Sequence, residues 1–172
     1  MIRLLLKRAF ARFGARHGYD TGYLARLADA DLSATLKLAM ARSFLEHRGP
    51  LPRPVWRAAQ LRAVLHADCG PCLALAASLA KEEGMGRATI AAILRGTVET
   101  EDMRLAVDYA DAVLSDAPGL GDIVTAVRSH YGDAGLAALS IAVVSGGFYP
   151  LFKRGLGEGA SCQAVLKELE AA

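Results

Sequence analysis

The sequence predicts an all-α fold, and three features support this prediction. The composition is 53% hydrophobic but only 6% aromatic, with alanine and leucine prominent, and these residues favour helices. Apolar residues recur at spacings of three and four along much of the chain, and no segment alternates as a half-buried strand does. The chain has 172 residues, enough to bury most of its apolar surface in one domain. We expect a helical arm over residues 1–53 and a core over residues 54–172.

The arm begins with a basic amphipathic helix over residues 1–17, which contain five Lys or Arg and no acidic residue. Such a helix can pack on its own fold or on a neighbouring subunit, or lie on an anionic membrane surface. Its composition is also similar to that of an organelle transit peptide. A turn separates it from a short helix over 23–28, and Asp31 or Ser33 caps a third helix that reaches about Glu46. The expected apolar face of the third helix is Leu32, Leu36, Leu38, Ala39, Met40, Phe44 and Leu45.

Three prolines between positions 50 and 54 predict a loop between the arm and the core. Periodicity and capping residues then predict seven further helices. They are expected over residues 55–65, 71–83, 87–94, 101–114, 122–131, 134–147 and 162–169. Segment 134–147 has no charged residue, so we expect it in the middle of a bundle or at a subunit interface. We expect Gly146, Gly147 and Pro150 to kink or end this helix.

Charge is distributed unevenly along the chain. The net charge of +2 is too small to indicate nucleic acid binding by itself. Residues 1–66 carry 12 Lys or Arg and 4 Asp or Glu, a net of +8, whereas residues 67–172 carry 8 and 14, a net of −6. The two parts could attract each other, within a protomer or between protomers. We expect no apolar run of the about 18 residues that a membrane span needs, no secretory leader, and hence a cytoplasmic protein.

Chemistry is concentrated at Cys69-Gly70-Pro71-Cys72, where one predicted helix ends and another begins. Proline is favoured at the first helical position, which places the helix start at Pro71. The unpaired N–H groups there favour a thiolate, and one pKa in such a motif can fall from about 8.5 to about 7 or lower. The second thiol can then release the first from a mixed disulfide or a sulfenic acid. This interpretation requires sulfurs within bonding reach and a path from solvent to one of them.

Other interpretations of the motif remain open. The two cysteines could be inert core thiols, or they could bind zinc together with His66 and Cys162. A structural disulfide is disfavoured in a reducing cytosol. His66 could act as a base for a cysteine or simply end its helix, and Asp68 could carry a proton, cap a helix or be solvated. Cys162 could oxidise with the pair, although nothing local activates it.

Several of these segments together resemble a known family, the alkylhydroperoxidase D-like branch of the carboxymuconolactone decarboxylases. They are Arg62, Asp68-Cys69-Gly70-Pro71-Cys72, the Ala-rich helix after it, Glu83-Gly84 and Leu94-Arg95-Gly96, and the similarity covers residues 57–157. The resemblance implies an orthogonal multi-helix bundle that assembles as trimers or hexamers. It also implies peroxide reduction, with Cys72 attacking, Cys69 resolving and a dithiol donor such as a lipoylated protein recycling the pair.

Two positions depart from the family pattern. Family peroxidases carry a histidine four residues after the second cysteine, where this chain has Ala76, and a glutamate twelve residues before the first, where it has Arg57. Those two groups form the family's proton relay. His66 is the nearest replacement, and Arg57 could help only electrostatically. General acid–base assistance is worth about 10²–10⁴-fold, so we expect weak peroxidase activity.

The sequence therefore predicts a thiol-dependent redox enzyme, a weak alkyl hydroperoxide reductase or a thiol-disulfide oxidoreductase, that acts through Cys69 and Cys72. Its substrate would be a hydroperoxide or a disulfide, and no metal or other cofactor is expected. The alternative is a non-catalytic oligomeric scaffold of the same fold. A lactone decarboxylase is a third interpretation, for which the chain has no matching constellation of histidine and arginine.

Overall fold

The computed structural model describes residues 1–158, and every regular element in this range is a helix. The helices are α1 (Ile2–His17), α2 (Gly22–Ala30), α3 (Leu32–Leu45), α4 (Arg53–His66), α5 (Gly70–Glu82), α6 (Arg87–Arg95), α7 (Glu101–Ser115) and α8 (Leu120–Gly155). The all-α prediction is confirmed for this part of the chain. The helix predicted over 162–169 lies outside the described residues.

Helix α4 lies at the centre of the larger core, in contact with α5, α6, α7 and α8. Its residues Ala58, Ala59, Leu61 and Ala63 are fully buried. The small side chains of the three alanines let the neighbouring helices approach closely. The contact with α8 is close at Gly146, where an added Cβ would lie 2.5 Å from the Ala63 Cβ. The α4–α8 contact therefore requires glycine at this position.

Helix α8 differs from the two helices expected in this region. Gly132, at φ 71° and ψ −179°, breaks it as predicted. The expectation that Gly146, Gly147 and Pro150 kink or end the next helix is wrong as to its end, because helical backbone continues through them to Gly155. Gly146 and Pro150 are both buried, so tertiary packing offsets the hydrogen bond that proline cannot donate.

The uncharged part of α8 lies against the core, with Gly135, Ala138, Leu139 and Ala142 buried. By length and composition α8 could cross a membrane, which corrects the expectation that no apolar run is long enough. Of its most apolar 18-residue window, 44% is buried inside the structure. Core helices of other proteins also combine this length and composition with partial burial, so the test does not distinguish α8 from a core helix.

Helices α1–α3 form a smaller apolar cluster that packs on α5 and α8. Asp31 caps α3 as predicted, since its side chain accepts a hydrogen bond from the Ala34 N–H at 2.9 Å. The expected apolar face of α3 is only partly correct, because the helix turns Thr35, Leu38 and Leu45 inward. Four residues of that expected face are exposed instead: Leu36, Ala39, Met40 and Phe44.

Candidate functional site

The two cysteines lie at the start of α5, as the motif predicts. Cys69 is the residue immediately before the helix and Cys72 lies in its first turn, so α5 begins one residue earlier than expected. Asp68 adopts a left-handed conformation at φ 50°, which reverses the chain between α4 and α5. The two sulfurs are 2.6 Å apart, and the cysteines are free. Because a disulfide needs about 2.05 Å, the pair can close with only a small movement.

The pair shares one proton over the neutral range. A hydrogen bond from the Cys72 thiol, partly opposed by burial and assisted by the Cys72 backbone N–H, lowers the pKa of Cys69 to about 6. The same hydrogen bond, together with burial, raises the pKa of Cys72 well above its ordinary value. Cys69 therefore carries the negative charge, because the Cys72 thiol is its main hydrogen-bond donor and its position before the helix favours an anion. This order is opposite to the roles that the family resemblance implies.

Two tyrosines from the arm lie beside the sulfurs. The Tyr19 hydroxyl is 3.8 Å from Cys72 Sγ and 3.4 Å from the Tyr23 hydroxyl. Burial is the main reason that the pKa of Tyr19 is far above its ordinary value and that of Tyr23 rises to about 12. Both phenols therefore stay protonated at neutral pH. We refer to Tyr19 and Tyr23 as the tyrosine pair.

The dithiol is buried in this conformation, with Cys69 2% and Cys72 6% exposed. Of the two requirements for redox chemistry, bonding reach is satisfied and an open path from solvent is not. A pocket of about 170 Å³ on the protein surface is lined by Tyr23, Arg26, Leu27, Ala30, Leu156 and Glu158. The sulfurs do not line it, and Tyr23 is common to the pocket and the dithiol environment. A substrate can reach the sulfurs only if the residues that cover them move.

Lys153 of α8 is a buried cation next to this group. It is 5% exposed, and within residues 1–158 no other charged residue is buried. Its Nζ lies 4.9 Å from the ring centre of Tyr19 and 5.3 Å from that of Tyr23. In the described range no carboxylate lies within ion-pair distance of it. The neighbouring Arg154 is exposed and donates a hydrogen bond to the Ala67 carbonyl at 2.5 Å.

Of the supporting residues expected from the sequence, His66 and Asp68 are exposed and Arg57 pairs with a carboxylate. His66 is exposed at the end of α4, and in the described structure no hydrogen bond joins it to either sulfur. Asp68 is exposed in the turn. Arg57 donates to both carboxylate oxygens of Glu83, at 2.8 and 2.7 Å, and this interaction lowers the pKa of Glu83. Arg57 thus ties α4 to the end of α5.

The zinc interpretation gains no support from the described residues. Within residues 1–158 no group of three or more His, Cys, Asp or Glu side chains is arranged to hold a metal ion. The remaining proposed ligand, Cys162, lies outside the described residues.

Sequence reasoning missed the tyrosine pair and Lys153. The tyrosines are in a segment interpreted only as a turn and a short helix, and nothing local connects them to cysteines 53 residues later. Lys153 did carry a signal. It continues the spacing of buried positions along α8 from Leu139 through Gly146 and Pro150, so a charged residue occupies a place in an apolar stripe.

Comparison with family models, with curated proteins and with solved structures found no match to this chain. The family resemblance therefore rests on the motif residues alone.

Proposed function

We propose that this protein is a thiol-dependent redox enzyme, a hydroperoxide reductase or a thiol-disulfide oxidoreductase, that acts through Cys69 and Cys72. The observation that supports this proposal best is the 2.6 Å separation of two free sulfurs at a helix start. A thiol that is ionised at neutral pH, next to one that is not, is the combination that such chemistry needs.

With a hydroperoxide, the Cys69 thiolate attacks the terminal oxygen and breaks the O–O bond. Cys69 becomes a sulfenic acid, and the released alkoxide takes a proton from solvent to give the alcohol. The Cys72 thiol then attacks the Cys69 sulfur, and its proton leaves with the hydroxide as water. The substrate gains two electrons, the pair becomes a disulfide, and an external dithiol donor, such as a lipoylated protein, restores it.

With a disulfide substrate, the Cys69 thiolate attacks one sulfur and expels the other as a thiolate. Cys72 then attacks the Cys69 sulfur of the mixed disulfide and expels the second half of the substrate, which takes the Cys72 proton and leaves as a thiol, so the protein disulfide again remains. In both cases Cys69 attacks and Cys72 resolves, because the pKa of Cys69 is the lowered one. Both reactions require the residues that cover the sulfurs to move, since the sulfurs are buried.

Turnover of an organic hydroperoxide by the reduced protein, with a small dithiol as donor, tests this proposal. Cys69→Ser should abolish turnover, while Cys72→Ser should form one sulfenic acid per chain, trapped by a dimedone probe, and then stop. Cys162→Ser is the matched control and should keep its activity. Normal turnover by Cys69→Ser would refute the assigned roles, and sulfenic acid on Cys72 would favour the order that the resemblance implies.

A second candidate function is a non-catalytic oligomeric scaffold, and one surface favours it. Leu36, Met40 and Phe44 are spaced at four residues on α3 and are 39%, 74% and 56% exposed. An exposed apolar stripe of this kind is typical of an interaction surface. We infer self-association through it, as the trimer or hexamer expected from the family resemblance, in a cytoplasmic protein.

Light scattering or sedimentation measures this association directly. Met40→Glu together with Phe44→Glu should reduce the mass to that of the monomer, because each buries a charge in the contact. Lys37→Glu, on an exposed face of the same helix, is the control. A wild-type protein that is monomeric at high concentration would exclude the scaffold.

A further inference from the structure

We propose that Lys153 is the counter-ion of the thiolate in the Cys69–Cys72 pair and that the Tyr19 hydroxyl donates a hydrogen bond to Cys72 Sγ. This inference rests on the proposed function, since it concerns the same pair of cysteines. Arg57 and Ala76 do not stabilise the charge of the thiolate. The proposal assigns this role to Tyr19 and Lys153, which lie near opposite ends of the described chain.

The burial of Lys153 carries the first step. A buried ammonium group is unfavourable unless an anion compensates it, and within residues 1–158 no carboxylate pairs with Lys153. The dithiol is an acidic group near it, and the charge of Lys153 acts on both sulfurs to favour ionisation. A pair that has lost one proton supplies the single negative charge that this cation lacks.

The second step of the argument depends on the tyrosine pair, because its rings contact the Lys153 ammonium group and the Tyr19 hydroxyl contacts Cys72 Sγ. Lys153 Nζ lies about 5 Å from both ring centres, within the range of a cation–π interaction. The Tyr19 hydroxyl, which stays protonated, contacts Cys72 Sγ at 3.8 Å. The Tyr23 hydroxyl contacts that of Tyr19 at 3.4 Å and so orients it.

Other charged or titratable groups near the dithiol are weaker candidates. Arg154 of α8 favours ionisation of Cys69, but less than Lys153 does, and it is exposed and bonded to a backbone carbonyl. Tyr149 of α8 acts on Tyr23 and is itself protonated, because burial raises its pKa. Lys153 and Tyr19 therefore act as fixed electrostatic groups, with no proton transferred by either, and Lys153 is a positioning residue.

Titration of thiolate absorbance between a pH of about 5 and a pH of about 9 tests this proposal without any substrate, in a Cys162→Ser background. Lys153→Met keeps the length of the side chain and removes its charge. An opposite charge at this range moves a pKa by about 1–3 units, so the thiolate fraction at a pH of about 6 should fall at least about fivefold. Tyr19→Phe should lower it about twofold, the size of one hydrogen bond. Lys81→Met, exposed on α5, should leave the titration unchanged.

An unchanged titration in Lys153→Met would overturn the counter-ion role. A double-mutant cycle adds a readout that a merely structural lysine would not move. In a background of Cys69→Ala with Cys72→Ala, Lys153→Met should stabilise the fold or leave it unchanged, because the cation then has no anion. Destabilisation in that background would also overturn the proposal.

Two further points keep the test decisive. If Lys153→Met does not fold, Tyr19→Phe and Lys153→Arg decide, since the arginine should retain the low titration midpoint. A normal titration without peroxide or disulfide turnover would defeat the proposed function and leave this inference standing.

Discussion

Alkylation of the reduced pair as a function of pH measures which sulfur is ionised. The experiment uses Cys69→Ala and Cys72→Ala, each in a Cys162→Ser background so that only the motif reacts. We expect the intact pair to react with a midpoint at a pH of about 6, the pKa of Cys69. Cys69→Ala should lose this reactivity, and Cys72→Ala should move the midpoint upward, because the Cys72 thiol is the main donor to Cys69.

The expected increase in the rate of alkylation depends on pH and so determines the pH at which the assay is run. At a pH of about 6, about half of a thiol with a pKa of about 6 is ionised, against about 0.3% of an ordinary cysteine with a pKa of about 8.5. A thiolate of lower pKa is a weaker nucleophile, with a Brønsted coefficient of about 0.45, which removes about thirteenfold of this roughly 160-fold advantage. About twelvefold remains at that pH, but only about twofold at a pH of about 7. The assay is therefore informative only in mildly acidic buffer.

The midpoint is a better readout than the absolute rate, because burial of the sulfurs slows the reaction at every pH. Iodoacetamide with mass spectrometry identifies the modified residue. A midpoint near the ordinary cysteine value would refute the shared proton. Low-pH reactivity that survives in Cys69→Ala would instead assign the thiolate to Cys72.

Three further predictions concern packing, stability and access. Gly146→Ala places a methyl group 2.5 Å from the Ala63 Cβ, so the free energy of unfolding measured in urea should fall by about 1–3 kcal/mol. Gly147→Ala is the control, because its methyl group meets only a flexible side chain at 4.0 Å. Between a pH of about 6 and about 8.5 the native dithiol binds one proton and the unfolded one two, so stability should rise with pH there and fall above it. A flat profile, or one unchanged without the cysteines, would contradict this. Tyr23→Ala should accelerate alkylation at fixed pH, whereas the exposed Phe44→Ala should not.

The helices were predictable because their signals are local. Asp31 accepts from a backbone N–H three residues later, and Gly96 takes the left-handed conformation that ends α6. The path of α8 was not predictable in the same way. Glycine and proline disfavour a helix interior locally, and only the fit of Gly146 against α4 shows why the helix continues. The exposed face of α3 was not predictable either, because the helices that pack against α3 decide which of its apolar residues are buried.

The candidate site divides along the same line. Cys69 and Cys72 could be found from spacing and from the helix start, since both are properties of one short segment. His66 and Arg57 were chosen for their proximity in sequence, but the structure directs one to solvent and the other to Glu83. Tyr19 contacts a sulfur, and Lys153 lies against Tyr19, only through the packing of the arm and α8 on α5, which no local pattern encodes.

The shared proton of the dithiol also determines how its reduction potential depends on pH. Oxidation of a pair that has already lost one proton releases two electrons but only one further proton. Above a pH of about 6 the midpoint potential should therefore fall by about 30 mV per pH unit, half the slope of a dithiol that is fully protonated. Between two compartments of different pH, the balance of oxidised and reduced protein would then shift less than it does for an ordinary dithiol.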